Sequence, residues 1–158
     1  MDETGARTTG ATDAIRIHPP LLAGILLVVT LILHLIGGNH PVRLHQIAGL
    51  LVVALGAGIC CYAAALFAAC DTTKIPYGEP SRFVSQMPYT FTRNPMYLGL
   101  TTILFGFAVF FGSAVMLLAP IVFVVVIDRL VIPREEDTME RLFGQQYIDY
   151  RQRVRRWL

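Results

Sequence analysis

Long uncharged apolar runs alternate with short polar stretches along this chain. The first run, residues 21–36, lies between Pro19-Pro20 and Gly37-Gly38. As a helix it rises about 24 Å, and it approaches the roughly 30 Å of a hydrocarbon core when residues 15–18 are added. The second run, residues 47–69, carries no charge over twenty-three residues. Both runs predict transmembrane helices.

The second predicted helix carries small residues along its length. Gly49, Gly56 and Gly58 lie among several alanines. Small side chains let helix backbones approach closely in lipid, so we interpret these glycines as a packing face rather than as part of a reactive site.

The third run is too long for a single crossing. Between Arg93 and Asp128 lie thirty-four residues without a charge, which as one helix would run about 51 Å. Gly112-Ser113 is the natural break. The pattern therefore predicts a helix over about residues 95–111 and another over about residues 114–132, joined as a tight hairpin.

The last segment, residues 134–158, has a different pattern. Its charged residues alternate with apolar ones at spacings of three and four, which is typical of an amphipathic helix. We expect this helix to lie on the membrane surface or against the bundle. The apolar positions are Met139, Leu142, Phe143, Tyr147, Tyr150, Val154, Trp157 and Leu158.

Composition agrees with a membrane protein, because 54% of the residues are hydrophobic and only 15% are charged. A soluble domain of this length would need more polar surface. The predicted fold class is therefore all-α: an integral membrane bundle of four transmembrane helices with an amphipathic C-terminal helix. Residues 1–17 lack a signal-peptide pattern, and we interpret them as a mobile tail.

The distribution of lysine and arginine predicts the orientation of this bundle. These residues precede the first helix, lie between the second and third, and follow the fourth, whereas only Arg43 falls in the opposite set. Positive loops stay on the cytoplasmic side. Both termini, the loop over residues 70–94 and the C-terminal helix are therefore expected to be cytoplasmic.

Several partners have no support in the sequence. The net charge is only +2 and the basic residues do not line one face, which argues against nucleic acid. Neither the three cysteines nor the four histidines have metal-ligand spacing, so no metal site is predicted.

The stretch TFTRNPMYLGL concentrates polar residues at the start of the third apolar run. Asn94-Pro95 is a helix-start signal, in which the Asn side chain can accept a bond from free N–H groups. Arg93 does not complement the positive end of the helix dipole. It either binds a carboxylate or phosphate there or pins the helix to anionic headgroups. Tyr97 lies one turn on, either as a binding contact or as an interfacial residue.

A pair of carboxylates lies at the far end of the hairpin. Glu135 and Glu136 follow Pro133 at about the depth of Arg93. A zwitterionic ligand would fit between them, with its carboxylate on Arg93 and its ammonium or hydroxyl groups on the glutamates. The alternative is the acidic first turn of a surface helix.

Two blocks of this sequence resemble the isoprenylcysteine carboxyl methyltransferase and phospholipid methyltransferase family of integral membrane enzymes. The first is R-[HN]-P-x-Y-x-G, here residues 93–99, and the second is Glu135-Glu136 with the following ERLFGQQYIDYRQRVRRWL. The resemblance covers residues 70–158. It implies a single membrane methyltransferase domain over residues 18–158.

The resemblance also implies the chemistry: methyl transfer from S-adenosylmethionine to a lipophilic acceptor that enters from the bilayer, such as a prenylcysteine-like carboxylate, a lipid or a small thiol or amine. Arg93 would orient the cofactor carboxylate or the acceptor, which makes it the candidate catalytic residue. The cofactor-binding residues implied by position are Asn94, Tyr97, Glu135, Glu136, Tyr147 and Arg151.

Two other functions fit parts of the sequence. A small membrane protein that binds lipid or a partner without turnover would have the same charge placement. A membrane reductase on the sterol-reductase scaffold would use a nicotinamide cofactor, but that scaffold has more helices than this chain supplies.

Overall fold

The computed structural model describes residues 17–37, 45–69 and 86–158, and the regular structure within these ranges is entirely helical. Three helical segments are long and apolar enough to cross a membrane, namely Pro19–Ile36, His45–Leu66 and Val115–Phe143, and Pro95–Phe111 is a shorter apolar helix. An all-helical membrane bundle was therefore predicted correctly. The predicted mobile tail, except residue 17, lies outside the described residues, as does most of the loop used for the orientation.

The first three helices begin and end close to the predicted positions. They are α1 (Pro19–Ile36), α2 (His45–Ala69) and α3 (Pro95–Phe111). Proline opens α1 and α3, where its missing N–H costs no helical bond. Gly112 ends α3 at φ 59°, ψ 34°, a left-handed conformation that glycine adopts without strain. This confirms the turn of the predicted hairpin.

Helices α2 and α3 pack against each other most closely, and glycines on both make the approach possible. A Cβ atom on Gly56 would lie 2.7 Å from the Gly99 carbonyl oxygen, and one on Gly106 would lie 2.7 Å from the backbone nitrogen of Val53. The small-residue packing face predicted for the second helix is thus present. Gly58 does not belong to it, because it is exposed and a Cβ there would meet nothing within 4 Å.

The second arm of the hairpin differs from its prediction. A 3₁₀ turn (Val115–Leu117) leads into α4 (Leu118–Val126), a π-helical segment (Ile127–Val131) and α5 (Ile132–Phe143) without interruption. The predicted end near Ile132 is therefore wrong. Pro133 lies in the first turn of α5, where the widened π turn relieves the clash between its ring and the preceding carbonyl groups.

The C-terminal segment is not one helix either. The chain breaks at Gly144, whose φ of 50° lies in the region that favours glycine, and continues as α6 (Gln145–Arg153). Residues 154–158 are not helical. We call these last five residues the C-terminal strap.

Two apolar clusters pack the helices and the C-terminal strap together. The larger joins α1, α3 and α4 around the fully buried Phe123 and Ile127, and Trp157 of the C-terminal strap packs against it. The smaller consists of Tyr89, Tyr147 and Tyr150. The loop before α3, helix α6 and the strap are therefore held together at one end of the bundle.

Candidate functional site

The C-terminal strap binds the residues that precede α3. The backbone N–H of Arg93 donates to the carbonyl oxygen of Arg155 at 3.0 Å. The Thr92 hydroxyl and the Asn94 side-chain amide both donate to the carbonyl oxygen of Arg156, each at 3.0 Å. Asn94 makes no side-chain cap bond to α3, so the predicted capping role is wrong. Its side chain fastens the strap instead.

Glu136 lies between two guanidinium groups. Arg156 donates to both carboxylate oxygens of Glu136: Nε lies 3.2 Å from Oε1, and Nη2 lies 2.6 Å from Oε2. Nη1 of Arg93 lies 3.1 Å from Oε1, and the side chains of Arg93 and Glu136 are each only 11% exposed. Glu136, the second of the two predicted carboxylates, therefore has an arginine partner on each side.

Arg93 retains unused hydrogen-bonding capacity. Its Nε and Nη1 atoms are buried and make no hydrogen bond within the described residues. The Nη1 atom is close enough to Glu136 for charge attraction, but its N–H groups do not point at the carboxylate oxygens. Buried donors without an acceptor are costly, so an ordered water, an ion or a ligand group is expected to accept from them.

Glu135 has a different environment from its neighbour. It accepts a hydrogen bond from the Tyr97 hydroxyl at 2.6 Å and forms no ion pair within the described part of the chain. It is half-buried. A carboxylate in this position attracts a cationic group, because neither solvent nor a protein cation fully balances its charge.

Tyr147 completes the wall next to these charges. Burial raises its pKa and the charge of Glu136 raises it further, while Arg93 acts in the opposite direction through its charge and hydrogen bonding. The buried Tyr150 hydroxyl donates to the carbonyl oxygen of Tyr89 at 2.7 Å, and burial also raises its pKa. Both phenols are therefore neutral donors at physiological pH.

Arg151 does not join this group. Its Nη1 atom lies 3.0 Å from Oε2 of Glu140, and both side chains are more than 40% exposed. Of the seven predicted site residues, the structure thus brings six to the junction of α3, α5, α6 and the strap, and leaves Arg151 on the surface. The binding roles assigned to all seven stay predictions.

The sequence did not indicate that Asp128, Arg156 and Trp157 belong to this junction. Oδ1 of Asp128 accepts bonds from Nη1 of Arg156 at 3.3 Å and from the Trp157 indole N–H at 2.9 Å. Hydrogen bonding to Glu136 raises the pKa of Arg156, although burial opposes it. One signal was available: Asp128 is the first charge after a long apolar run.

An apolar groove of about 560 Å³ runs between α3 and the second arm of the hairpin. Its wall on α3 begins at Thr101, one turn from Tyr97, and includes Thr102. Both hydroxyls donate to backbone carbonyl oxygens of α3 at 2.8 Å, which leaves their methyl groups to the groove. The remaining lining consists of Phe105, Leu117, Pro120, Ile121, Val124 and Val125.

No group of three or more histidine, cysteine, aspartate or glutamate side chains among the described residues has the geometry to hold a metal ion.

Comparison with known proteins gives two matches. The sequence model of phospholipid methyltransferases matches residues 44–146, which is more than half of the chain. An uncharacterized protein of Haemophilus influenzae is 43% identical over 63 residues, which cover 40% of this chain and 100% of that relative. No solved structure matches the chain.

Proposed function

Because the chain belongs to the phospholipid methyltransferase family of integral membrane methyltransferases, we propose that it transfers a methyl group from S-adenosylmethionine to a lipophilic acceptor. One observation carries the choice of methyl donor. At the start of α3, Arg93 has buried Nε and Nη1 donors without acceptors among the described residues, and Tyr97 bonds to Glu135, a carboxylate without an ion pair in the described chain.

The side chains at this junction fit the charges of S-adenosylmethionine. Its carboxylate would be held by Arg93, whose Nε and Nη1 atoms need an acceptor. Its ammonium or ribose hydroxyl groups would be held by Glu135, which the Tyr97 hydroxyl orients. Asn94, Glu136 and Tyr147 would frame this place from the start of α3, from α5 and from α6.

S-adenosylmethionine supplies an electrophilic methyl group. The protein's part is to hold this cofactor and an acceptor in line and to keep water away. The neutral phenols of Tyr147 and Tyr150 and the apolar cluster beneath Trp157 restrict solvent at the junction. A carboxylate or thiolate acceptor would need no general base there, whereas an amine must first lose a proton.

The apolar groove supports a lipophilic acceptor. Its lining lacks charge, and its wall on α3 begins one turn from Tyr97. A hydrocarbon chain lying in the groove would bring its polar end toward Tyr97 and Glu135. The charge pattern of the sequence supports a site on the cytoplasmic face, with both termini on that side.

Binding of S-adenosylmethionine to the detergent-solubilised protein, measured by calorimetry, tests the cofactor. We expect Glu135→Gln to weaken binding about tenfold or more, since a charge-assisted bond contributes about 1.5–3 kcal/mol. Glu140→Gln is the matched control, because Glu140 lies on the same helix but pairs with Arg151 at the surface. The absence of wild-type binding at millimolar cofactor would refute this function.

Turnover on a membrane lipid extract with methyl-labelled S-adenosylmethionine tests catalysis separately. Label is expected in an extractable lipid or a small lipophilic thiol. Cofactor binding without labelling of any such acceptor would favour the non-catalytic binding protein. Binding of a nicotinamide cofactor instead would favour the reductase.

A further inference from the structure

We propose that Arg156 is a positioning residue of this site: it holds the Glu136 carboxylate in an orientation that accepts no hydrogen bond from Arg93, and so leaves the Nε and Nη1 donors of Arg93 for the carboxylate of a bound ligand. This inference rests on the proposed function, because it assigns the ligand carboxylate to Arg93. Arg156 itself would not touch the ligand.

The argument begins with the way in which Glu136 is shared. Arg156 binds both of its oxygens in a two-point arrangement, with one bond as short as 2.6 Å. Arg93 lies within ion-pair distance of the same carboxylate, yet its Nε and Nη1 atoms make no hydrogen bond. Glu136 thus balances the charge of Arg93 without using its donors.

Arg156 is itself held from several directions. Its third guanidinium nitrogen, Nη1, lies 3.3 Å from Asp128, which also accepts a bond from the neighbouring Trp157. Its carbonyl oxygen accepts bonds from Thr92 and Asn94, which flank Arg93 in the sequence. The strap therefore fixes both the Arg156 side chain and the backbone around Arg93.

Loss of this guanidinium would redistribute the bonds. Glu136 would keep Arg93 as its remaining cationic partner among the described residues, and a partly buried carboxylate and guanidinium favour two-point pairing. The Arg93 donors would turn to Glu136, and a ligand carboxylate would lose its partner. A role in folding alone would not single out one functional group of the ligand.

Calorimetry with S-adenosylmethionine and with its decarboxylated analogue separates these possibilities. Arg156→Gln should weaken binding of S-adenosylmethionine about tenfold and binding of the analogue less than threefold, because only the former uses the Arg93 donors. Arg153→Gln, on the exposed end of α6, is the control and should change neither. Equal losses for both ligands would overturn the proposal.

A second variant tests the competition directly. In Arg156→Gln/Glu136→Gln the competing carboxylate charge is gone, so Arg93 is free again and affinity for S-adenosylmethionine should recover at least partly. A further loss in the double variant would contradict the proposal. If Arg156→Gln fails to fold, as judged by thermal unfolding in detergent, Arg156→Lys replaces it. A lysine cannot bind both Glu136 oxygens and Asp128, so the same ligand-selective loss is expected.

A wild-type protein that binds neither ligand would refute the proposed function, and Arg156 would then have no ligand to position. Wild-type binding combined with an unselective effect of Arg156→Gln would refute this inference alone.

Discussion

The hydrogen bond between Tyr97 and Glu135 gives the sharpest test of the site. Tyr97→Phe removes one oxygen atom and leaves the ring, so packing against the larger apolar cluster is retained. The lost bond is short, 2.6 Å, and ends on a carboxylate. Hydrogen bonds to charged groups contribute about 1.5–3 kcal/mol, and the half-buried position of Glu135 argues for the lower end.

A loss of about 1.5 kcal/mol corresponds to roughly tenfold weaker binding of S-adenosylmethionine, since every 1.4 kcal/mol is tenfold in affinity. The control is Tyr150→Phe, which removes a bond of similar length, 2.7 Å, to the carbonyl oxygen of Tyr89. That variant should lower thermal stability without lowering affinity comparably, because its hydroxyl does not orient a carboxylate.

Calorimetry on the solubilised proteins measures both affinities. In the Glu135→Gln background, Tyr97→Phe should cost clearly less than in the wild type, because the two groups act as one pair. Unchanged affinity in Tyr97→Phe, or an equal loss in Tyr150→Phe, would refute the reasoning that Tyr97 acts through Glu135.

Two further predictions concern the helix interface and the isolated arginine. Gly56→Ala should lower the thermal unfolding temperature in detergent relative to Gly58→Ala. Overpacking costs about 1–3 kcal/mol, and only the methyl group at position 56 would meet a backbone atom, 2.7 Å from the oxygen of Gly99. Equal unfolding temperatures would contradict this packing. Arg151→Gln should bind S-adenosylmethionine like the wild type, whereas Arg93→Gln should bind it at least about tenfold more weakly. Equal losses of affinity in calorimetry would show that Arg151 also contributes to binding.

The sequence predicted the first three helices well because their ends are local. Proline opens α1 and α3, Gly112 closes α3, and an uncharged run lies between each pair of boundaries. Residue type at the boundary and length of the run decide such elements without knowledge of distant contacts.

The second half of the hairpin could not be derived in the same way. Pro133 indicates a helix end because proline lacks a backbone N–H. The helix continues nevertheless, because the π-helical segment before Pro133 makes room for its ring. Gly144 was a usable signal, since glycine commonly ends helices, and it divides the segment that was interpreted as one amphipathic helix.

The C-terminal strap lay beyond local reasoning altogether. Its bonds join Arg156 to Thr92 and Asn94, residues more than sixty positions earlier in the chain. Periodicity describes which face of a helix is apolar, but the strap is not helical and its partners are set by the tertiary fold. Asn94 shows the consequence: its helix-start position was predicted, whereas the use of its side chain was not.

The adjacent glutamates were interpreted as equivalent, although helix geometry alone separates them. Consecutive residues on a helix point about 100° apart, so Glu135 and Glu136 cannot face one ligand in the same way. Glu136 turns toward Arg93 and Arg156, and Glu135 turns toward Tyr97. One carboxylate thus pairs with two arginines, while the other has no cationic partner among the described residues. A cationic ligand group gains most from a carboxylate that has no cationic partner. We therefore expect substitutions of Glu135 to change ligand affinity directly, and substitutions of Glu136 to change it through Arg93.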